Sequence, residues 1–425
     1  MTPATLFPSR RLKYAATING EALSESTDSD FELAYIDIGN VDSQGRVHDI
    51  ANYRFEDAPS RARRIVRDGD VVISTVRTYL QAIAPVENPP ENLIVSTGFA
   101  VVRPSDELDH GFCKYALRAS PFLWEVESRS TGVSYPAINA SDLGDIRITL
   151  LEIGVQRLIA NYLDRETARI DGLIAEKERM LALLEEKRAT IISRVVTRGL
   201  DPSAPLKPSG QEWLGEIPAH WGLQRLKQLA EVRGGLTLGK QYPGELLEYP
   251  YLRVANVQDG YLKLDDILTV EVPKSEAASN LLAYGDVLMN EGGDIDKVGR
   301  GCVWQEEVTP CLHQNHVFAV RPHSVDSEWV ALWTSTLVAK QYFESRAKRS
   351  TNLASISGSN IKELPVPLPP IDEQLAIQQF LAGRYSRLEK IRSALRDSLH
   401  LLAERRAALI TAAVTGQIPL EEMRG

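Results

Sequence analysis

The chain has 425 residues, with 48 Lys and Arg against 57 Asp and Glu, and a formal net charge of −9. A hydrophobic fraction of 43% with 25% charged residues excludes wholesale disorder, and the length predicts two or three domains rather than one. Taken at face value, the negative charge also argues against a nucleic-acid partner.

Three cysteines, Cys113, Cys302 and Cys311, are odd in number and show no C-x-x-C spacing. This pattern argues against a disulfide framework and against a thiolate zinc site, and it is typical of a reducing compartment. The N-terminal residues contain no apolar region like that of a secretory signal, and no stretch approaches the ~18 apolar residues of a membrane span. We therefore expect a cytoplasmic protein without a membrane partner.

The first 150 residues predict a globular α+β segment. Turn clusters separate its apolar runs, which are short and rich in β-forming residues. The predicted strands are 34–38, 70–74, 93–95 and 99–102, and a helical piece is predicted near 111–118.

A long helix follows over residues 152–197, which contain no proline and only two glycines. Its apolar residues recur in steps of three, four and seven, which is a heptad seam. About 40 residues give a helix of ~60 Å, and Gly199 stands where its C-terminal cap is expected. The seam residues are Ile159, Leu163, Ile170, Leu173, Met180, Leu184, Ile191 and Val195.

The second half of the chain repeats this order. A proline-rich linker over 201–208 leads into an α+β segment that reaches residue 370, and a second long helix follows, with Gly416 as its expected cap. The predicted strands are 251–254, 286–289 and 317–320, and a helical piece is predicted over 329–343. The second seam consists of Ile377, Leu381, Leu388, Ile391, Leu395, Leu402, Leu409 and Ala413.

A shift of 218 residues superimposes the two helices without a gap, placing Gln156 on Gln374. Upstream, with shifts of a few residues, Gly69-Asp70-Val71 corresponds to Gly285-Asp286-Val287, and Val102-Arg103-Pro104 corresponds to Val320-Arg321-Pro322. The sequence therefore predicts a tandem repeat of four parts, 1–150, 151–200, 201–370 and 371–425, in which two similar globular segments alternate with two helices.

Each predicted helix has one apolar stripe and needs a partner. The other copy is the most economical partner, and a pseudo-two-fold relation between the halves predicts an antiparallel coiled coil. Pairing with a different protein is the rival, and two ordinary core helices are a further alternative.

Basic residues cluster locally although both globular segments are acidic. Arg61, Arg63, Arg64 and Arg67 lie close together, and Arg346, Lys348 and Arg349 precede Ser350-Thr351, as Arg129 precedes Ser130-Thr131. Loops that combine basic and small hydroxyl residues suit contacts to phosphates and base edges, although a solvated surface is the alternative.

We find no convincing catalytic motif in the sequence. Asn88-Pro89-Pro90-Glu91 is similar to the N-P-P-aromatic tetrad of amino-methyltransferases, but Glu91 replaces the aromatic residue that would stack on a flipped base, so we interpret the segment as a turn. The glycine-rich segment 292–301 matches neither phosphate-binding pattern, and we interpret it as a mobile loop that carries Lys297 and Arg300. The histidines show no metal-ligand spacing.

The segment Trp213-Leu-Gly-Glu-Ile-Pro-Ala-His-Trp221, followed by Arg225-Leu226-Lys227, resembles the opening motif of target recognition domains in type I restriction–modification specificity subunits. The paired Gly-Asp-Val and Ser-Thr motifs and the helices that open near Gln156 and Gln374 also fit that family. The N-terminal half departs from the pattern, because it begins with only Pro8-Ser-Arg-Arg-Leu-Lys13.

This resemblance implies a fold and a function. The family's subunit has two target recognition domains, here 1–150 and 201–370, and each reads one half of a split double-stranded DNA site. Two helical regions, here 151–200 and 371–425, set the spacer. Two modification subunits carry S-adenosylmethionine and methylate adenine, restriction subunits carry ATP and Mg, and the specificity subunit itself catalyses nothing and holds no cofactor.

The candidate DNA-contacting residues lie on the divergent loops, where Arg and Lys suit guanine and Asn and Gln suit adenine. In the first domain they are Arg77, Tyr79, Arg129, Thr131, Ser134 and Tyr135. In the second they are Asn290, Lys297, Arg300, Gln314, Asn315, Lys348, Arg349 and Asn352. Two alternatives remain open, namely a self-contained DNA methyltransferase and a coiled-coil adaptor that does not bind DNA.

Overall fold

A computed structural model describes residues 6–350 and 353–424 of the chain, apart from the side chain of residue 296. The chain divides into two compact units. Unit 1 comprises Met1–Glu178 with Leu395–Gly425, and unit 2 comprises Arg179–Ala394. Each long helix thus contributes one part to each unit. No helix among the described residues is long and apolar enough to cross a bilayer.

Within its described residues, unit 1 has ten short strands and the start of the first long helix. The strands are β1 (Ser9–Arg11), β2 (Ala16–Ile18), β3 (Glu32–Ile36), β4 (Ala51–Arg54), β5 (Ala62–Ile65), β6 (Val71–Ser74), β7 (Ile83–Pro85), β8 (Leu93–Ser96), β9 (Phe99–Pro104) and β10 (Arg147–Thr149). The helices are α1 (His110–Ala116), α2 (Ser120–Arg129), α3 (Ala140–Asp145) and α4 (Ile153–Arg198), with 3-10 turns at Leu12–Tyr14, Ile38–Asn40, Thr78–Leu80 and Leu420–Met423.

Two four-stranded sheets form the body of unit 1. The first has the order β2-β9-β6-β7 and is antiparallel throughout. The second has the order β4-β3-β8-β5, and within it β3 and β8 are parallel. Strand β1 pairs with β10 and closes the segment just before α4.

Unit 2 begins within α4 and repeats the same succession of elements. Its strands are β11 (Leu206–Pro208), β12 (Glu216–Pro218), β13 (Gly222–Arg225), β14 (Ala230–Arg233), β15 (Leu247–Leu252), β16 (Leu268–Val272), β17 (Val287–Asn290), β18 (Gly292–Gly293), β19 (Gly301–Val303), β20 (Leu312–His313), β21 (Val317–Pro322), β22 (Lys348–Arg349), β23 (Ala354–Ser355) and β24 (Pro365–Leu368). Its helices are α5 (Lys274–Asn280), α6 (Ser327–Thr334), α7 (Leu337–Arg346), α8 (Gly358–Lys362) and α9 (Ile371–Thr415), with 3-10 turns at Leu226–Gln228 and Ile295–Lys297.

The sheets of unit 2 have the topology of those in unit 1. The antiparallel order β14-β21-β17-β19 matches β2-β9-β6-β7, and the mixed order β16-β15-β20 matches β4-β3-β8, with β15 and β20 again parallel. The pair β13–β24 corresponds to β1–β10. This correspondence confirms the predicted α+β class with a duplicated fold.

The prediction of one continuous helical piece over residues 329–343 was wrong. Residues 329–343 form two helices, α6 and α7, because the Thr336 hydroxyl accepts a hydrogen bond from the backbone N–H of Ala339 and caps a new helix start. Strand bounds otherwise differ from the predicted ones by a few residues, as at β15.

The long helices begin and end as their glycine and glutamine positions predict. Gln156 donates from Nε2 to the carbonyl of Leu151 at 2.7 Å, and Gln374 donates to the carbonyl of Pro369 at 2.9 Å. These carbonyls precede the first helical turn, so each buried amide anchors a helix start. At the other ends, Gly199 (φ 74°) and Gly416 (φ 81°) adopt the left-handed conformation that ends a helix.

The two long helices pair in opposite directions within unit 2. Arg392 contacts Glu185 at 3.1 Å, and the Arg188 guanidinium lies 5.1 Å from the centroid of the Tyr385 ring. The residue number thus rises along α4 as it falls along α9, which confirms the antiparallel pairing. The seam prediction was only partly right here, because Met180 is exposed.

In unit 1, Arg406 donates from Nε to Asp171 at 2.8 Å across the same pair of helices. Ile159 and Leu163 are fully buried in the core of this unit, whereas Leu173 is exposed. The seam is therefore buried where a globular segment covers the helices, and exposed apolar residues remain where none does.

Candidate nucleic-acid interface

Two of the repeated motifs are neighbours in the sheets and form the same buried ion pair in both units. Arg103 on β9 donates from Nε and from Nη2 to Asp70, both at 2.8 Å, and Arg321 on β21 donates to Asp286 at 2.7 and 2.6 Å. Both aspartates are buried, and the hydrogen bonds raise the pKa of each arginine above its usual value. The Asp70 carboxylate also accepts from the backbone N–H of Arg67, so it closes the turn before β6.

The loops that follow β6 and β17 have the same pattern of backbone hydrogen bonds. The backbone N–H of Thr75 donates to the carbonyl of Gly98 at 2.8 Å, and its carbonyl accepts from Ile138 at 2.9 Å. In unit 2, Glu291 makes the equivalent hydrogen bonds with His316 and Ile356, both at 2.9 Å. One backbone scaffold therefore occurs twice, with different side chains on it.

A hairpin projects beside this loop in unit 1. Thr131 and Ala137 exchange two backbone hydrogen bonds of 2.9 Å and close a tip formed by residues 132–136. At the tip Val133 is 100% exposed and Tyr135 is 62% exposed. A hydrogen bond of 2.8 Å between the hydroxyls of Thr78 and Ser130 ties the base of the hairpin to the loop after β6.

The structure brings five of the six candidate residues of the first domain together at this hairpin. The Arg77 guanidinium lies 4.9 Å from the centroid of the Tyr135 ring, and Tyr79 is exposed nearby in sequence. Thr131 and Ser134 belong to the hairpin itself and are exposed. The sixth candidate, Arg129, lies at the end of α2 and pairs with Glu125 at 2.7 Å, so its charge is partly compensated.

A second hairpin projects at the equivalent place in unit 2. Strand β22 carries the exposed Lys348 and Arg349 and pairs with β23, which in turn pairs with Gly292-Gly293 of β18. The candidate Asn352 lies outside the described residues. The two basic candidates therefore occupy the position that the Ser130-Thr131 region occupies in unit 1.

Four other candidates of unit 2 lie on the segments around this hairpin. Gln314 and Asn315 follow β20 and are half-buried, with their backbone N–H groups bonded to Leu252 and Leu236 at 2.9 and 3.0 Å. Lys297 forms an ion pair with Asp294, and Arg300 is half-buried, so both are less available than Lys348 and Arg349.

Asn290 is a wrong candidate for base contact. Its side chain is fully buried, and its Nδ2 donates to the carbonyl of Val257 at 2.9 Å, because this position of β17 faces the interior. The following glycine-rich segment is also less free than expected. Val298 is buried, and a Cβ at Gly299 would lie 2.4 Å from the ring of Phe343.

The cluster at Arg61–Arg67 does not form one basic surface. Arg67 makes two hydrogen bonds of 2.8 Å to Glu21, and the Arg63 guanidinium lies 4.6 Å from the centroid of the Phe55 ring. Arg67 and Arg103 together lower the pKa of Glu21 to about 2. Part of this cluster is thus engaged in local ion pairing and stacking.

Comparison with known proteins finds a family match for part of the chain. Residues 218–395, which include the hairpin of unit 2, match the family model of the type I restriction modification DNA specificity domain. Over these residues the chain is similar to the specificity subunits of type I restriction–modification systems.

Two relatives that are similar over most of the chain are named specificity subunits of such systems. The chain is 23% identical over 324 residues to the type I restriction enzyme EcoKI specificity subunit of Escherichia coli K12, covering 75% of this chain and 68% of that protein. It is 19% identical over 342 residues to the MjaVIII specificity subunit of Methanocaldococcus jannaschii, covering 78% of this chain and 76% of that protein.

A solved structure supports the fold of this chain. That structure concerns complex assembly and conformational transition of the type I R-M system, and one of its chains matches with a TM-score of 0.66 and 22% identity. The match covers 98% of this chain and 99% of that chain.

The segment that opens with Trp213 and ends with Trp221 is a packing element. Trp221 is buried, donates from Nε1 to Glu373 at 3.0 Å, and packs edge-on against Trp329 at 5.9 Å between ring centroids. Since Glu373 lies in the first turn of α9, the motif attaches that helix start to the globular part of unit 2.

Two negative predictions concern possible chemistry. Asn88-Pro89 lies in the loop between β7 and β8, where the backbone N–H of Asn88 donates to Asp68 at 2.7 Å, so the interpretation as a turn is confirmed. Within residues 6–350 and 353–424, no group of three or more His, Cys, Asp or Glu side chains could hold a metal ion.

Sequence reasoning missed two residues at this interface, Glu291 and His316. Their side chains are joined by a hydrogen bond of 2.6 Å between Nδ1 and Oε2, at the rim of the loop that follows β17. The signal was present in the repeat, because the corresponding positions hold Thr75 and Gly98, which differ strongly in chemistry from glutamate and histidine.

Proposed function

We propose that this chain is the DNA-sequence-recognition subunit of a type I restriction–modification complex, in which the hairpin surface of each unit reads one half of a bipartite site. The proposal rests on one observation, namely that the loops after β6 and β17 share the same backbone scaffold. Thr75 and Glu291 make the same backbone hydrogen bonds, yet the side chains around them differ. A duplicated frame with divergent exposed residues suits two readers of two different half-sites.

The chemistry of the hairpins supports contact with DNA. Arg77, Lys348 and Arg349 are exposed, and such side chains donate to guanine O6 and N7 or to phosphates. Tyr79 and Tyr135 offer planar apolar surface beside Arg77. These basic residues are local to the hairpins, so the net charge of −9 does not argue against DNA binding.

We propose further that the helices set the spacer and dock partner subunits. Exposed apolar residues on α4 and α9 supply a surface for two modification subunits, with restriction subunits joining them. These exposed residues are Leu173, Met180, Leu183, Ile391 and Leu401. S-adenosylmethionine, ATP and Mg belong to those partners in this proposal, and this chain is not catalytic.

A direct test maps adenine methylation by single-molecule sequencing in cells that produce this chain with its modification subunits. A bipartite motif with a fixed spacer is expected. Substituting Arg77 and Tyr135 by alanine should alter only the half-site read by unit 1. A variant that alters both half-sites equally, or a motif without two halves, would refute the assignment.

A second experiment tests the role of the helices. Deleting one heptad from α4 and one from α9 should change the spacer between the half-sites and leave each half-site unchanged. An altered half-site would contradict the proposal. Two further results would support the alternatives. Methyl transfer by the isolated wild-type chain would support a self-contained methyltransferase. A wild-type complex that does not bind DNA would support an adaptor.

A further inference from the structure

A cleft of about 550 Å³ opens in unit 2 between β18, the hairpin β22–β23 and His316. Gly292 and Gly293 form part of its lining, at the positions that Val76 and Arg77 occupy in unit 1. A Cβ at Gly292 would lie 2.8 Å from the carbonyl oxygen of Ala354, so the close backbone pairing requires glycine. Unit 1 carries side chains at both of these positions, whereas unit 2 carries none.

Glu291 and His316 form one wall of this cleft. The Nδ1 of His316 donates to Oε2 of Glu291 at 2.6 Å. The side chain of His316 is 56% exposed, and that of Glu291 is 27% exposed. In unit 1 the hydroxyl of Thr75 turns inward and donates to the carbonyl of Gly98 at 2.8 Å. A Cβ at Gly98 would lie 2.3 Å from Cδ1 of Ile38, so a side chain there would require Ile38 to move.

A carboxylate on this surface is informative because it repels phosphates, while Lys348 and Arg349 on the same cleft attract them. A carboxylate only accepts hydrogen bonds, and the one from Nδ1 of His316 leaves acceptor capacity on Glu291. In the major groove of DNA the matching donors are the exocyclic amino groups, N4 of cytosine and N6 of adenine.

We propose that Glu291 determines specificity in unit 2 by accepting a hydrogen bond from the exocyclic amino group of one base, whose edge the cleft receives. His316 is a positioning residue that orients the carboxylate. This inference rests on the proposed function, since it names the chemical group read at one position of the half-site of unit 2.

The test uses the full chain assembled with its modification subunits and measures methylation rates on duplexes that carry every base pair at each position of both half-sites. The wild-type complex should prefer one amino-bearing base at one position of the unit 2 half-site by about 10- to 100-fold. Glu291→Ala should reduce that preference to within a few-fold, and His316→Ala should reduce it partly. All other positions should keep their preferences.

Glu291→Gln separates the two bases. Glutamine pairs with adenine through N6 and N7, so the variant should keep the preference if the base is adenine and should shift it toward adenine if the base is cytosine. Glu271→Ala is the matched control, because it removes an exposed carboxylate of the same unit on β16 and should change no preference.

The outcomes separate this inference from the proposed function. Unchanged discrimination in Glu291→Ala, or an equal loss on every duplex, would overturn the role of Glu291. Absence of a bipartite preference in the wild-type complex would instead overturn the proposed function. Thermal unfolding of each variant shows whether an equal loss of methylation on every duplex results from an unfolded variant. If Glu291→Ala is unfolded, Glu291→Gln, which is closest to glutamate in shape, tests the role of Glu291 instead.

Discussion

Arg103 on β9 and the buried Asp70, which immediately precedes β6, form a bidentate ion pair in unit 1, with both hydrogen bonds at 2.8 Å. These two residues are 33 positions apart in the sequence, and the motif of each is present again in unit 2. Removing the arginine would leave a buried carboxylate without its counter-charge. We predict that Arg103→Met lowers the free energy of unfolding by about 3 kcal/mol, as measured by denaturant titration.

Arg67→Met is the control for this prediction. Arg67 also makes two hydrogen bonds to a carboxylate, that of Glu21, but its side chain is largely exposed. Exposed ion pairs contribute about 1 kcal/mol or less, so a small change is expected. Equal losses in the two variants would contradict the structural importance of the Arg103–Asp70 pair.

Gly199 ends α4 in a conformation that disfavours other residues. We predict that Gly199→Ala destabilises the protein by about 1–2 kcal/mol, because φ is 74° and a Cβ would lie 2.8 Å from Oε1 of Glu373. That glutamate also accepts the hydrogen bond from Trp221, so the start of α9 is disturbed as well. Calorimetry of the full chain measures the change.

The same substitution at Gly172, in the same helix, should change the stability in the opposite direction. Apart from the neighbouring backbone of the helix itself, no heavy atom lies within 4 Å of a Cβ built at Gly172, and its position is in the helix interior. Gly172→Ala should therefore stabilise the protein by about 0.5–1 kcal/mol. A loss of stability at this position would show that the helix is under a constraint that its backbone does not reveal.

His313 is buried in unit 2, and burial lowers its pKa from 6.5 to about 4. Its contribution to stability is complete above the unfolded pKa of 6.5, where both states are neutral. As the pH falls from 6.5 toward 4, the unfolded state binds a proton that the folded state does not. We predict a loss of stability of about 3 kcal/mol across this window.

His313→Val tests this pH dependence, because Val95 occupies the equivalent position on β8 of unit 1. The variant lacks the hydrogen bond from Nδ1 to the carbonyl of Val317, so it should be less stable at neutral pH. Its stability should nevertheless fall less than that of the wild type between pH 6.5 and pH 4. Parallel curves for the two proteins would exclude His313 as the titrating group.

The three cysteines should be inert in the folded protein. All are buried, and burial raises the pKa of the Cys302 and Cys311 thiols to about 12 and also raises that of Cys113. Since the thiolate is the reactive species, iodoacetamide at pH 8 should label none of them in the native state and all of them in denaturant. Rapid native labelling would contradict their burial.

Lys348 and Arg349 should contribute to DNA affinity through charge. We predict that the double substitution Lys348→Ala/Arg349→Ala weakens binding to all sequences and reduces the slope of log affinity against log salt by about 2. Lys227→Ala is the control, since Lys227 forms an ion pair with Glu363. An unchanged salt slope in the double variant would place the phosphate contacts elsewhere.

The sequence by itself determined the repeat, the long helices and the class of the fold. These properties depend on local patterns, such as the apolar period of α4 and α9 and the glycines that end them, which any reader of the chain can count. The Gly-Asp-Val and Val-Arg-Pro motifs were visible too, but the pairing of their charged residues with each other was not.

Only the tertiary structure decided which of the candidate residues face solvent and which neighbours they have. Asn290 and Glu291 are adjacent in the chain, yet the first is buried against Val257 and the second is partly exposed beside His316. The physical reason is that successive strand residues point to opposite faces, and only the packed fold shows which face is covered. Residues 25 positions apart can therefore form one site that no local pattern predicts.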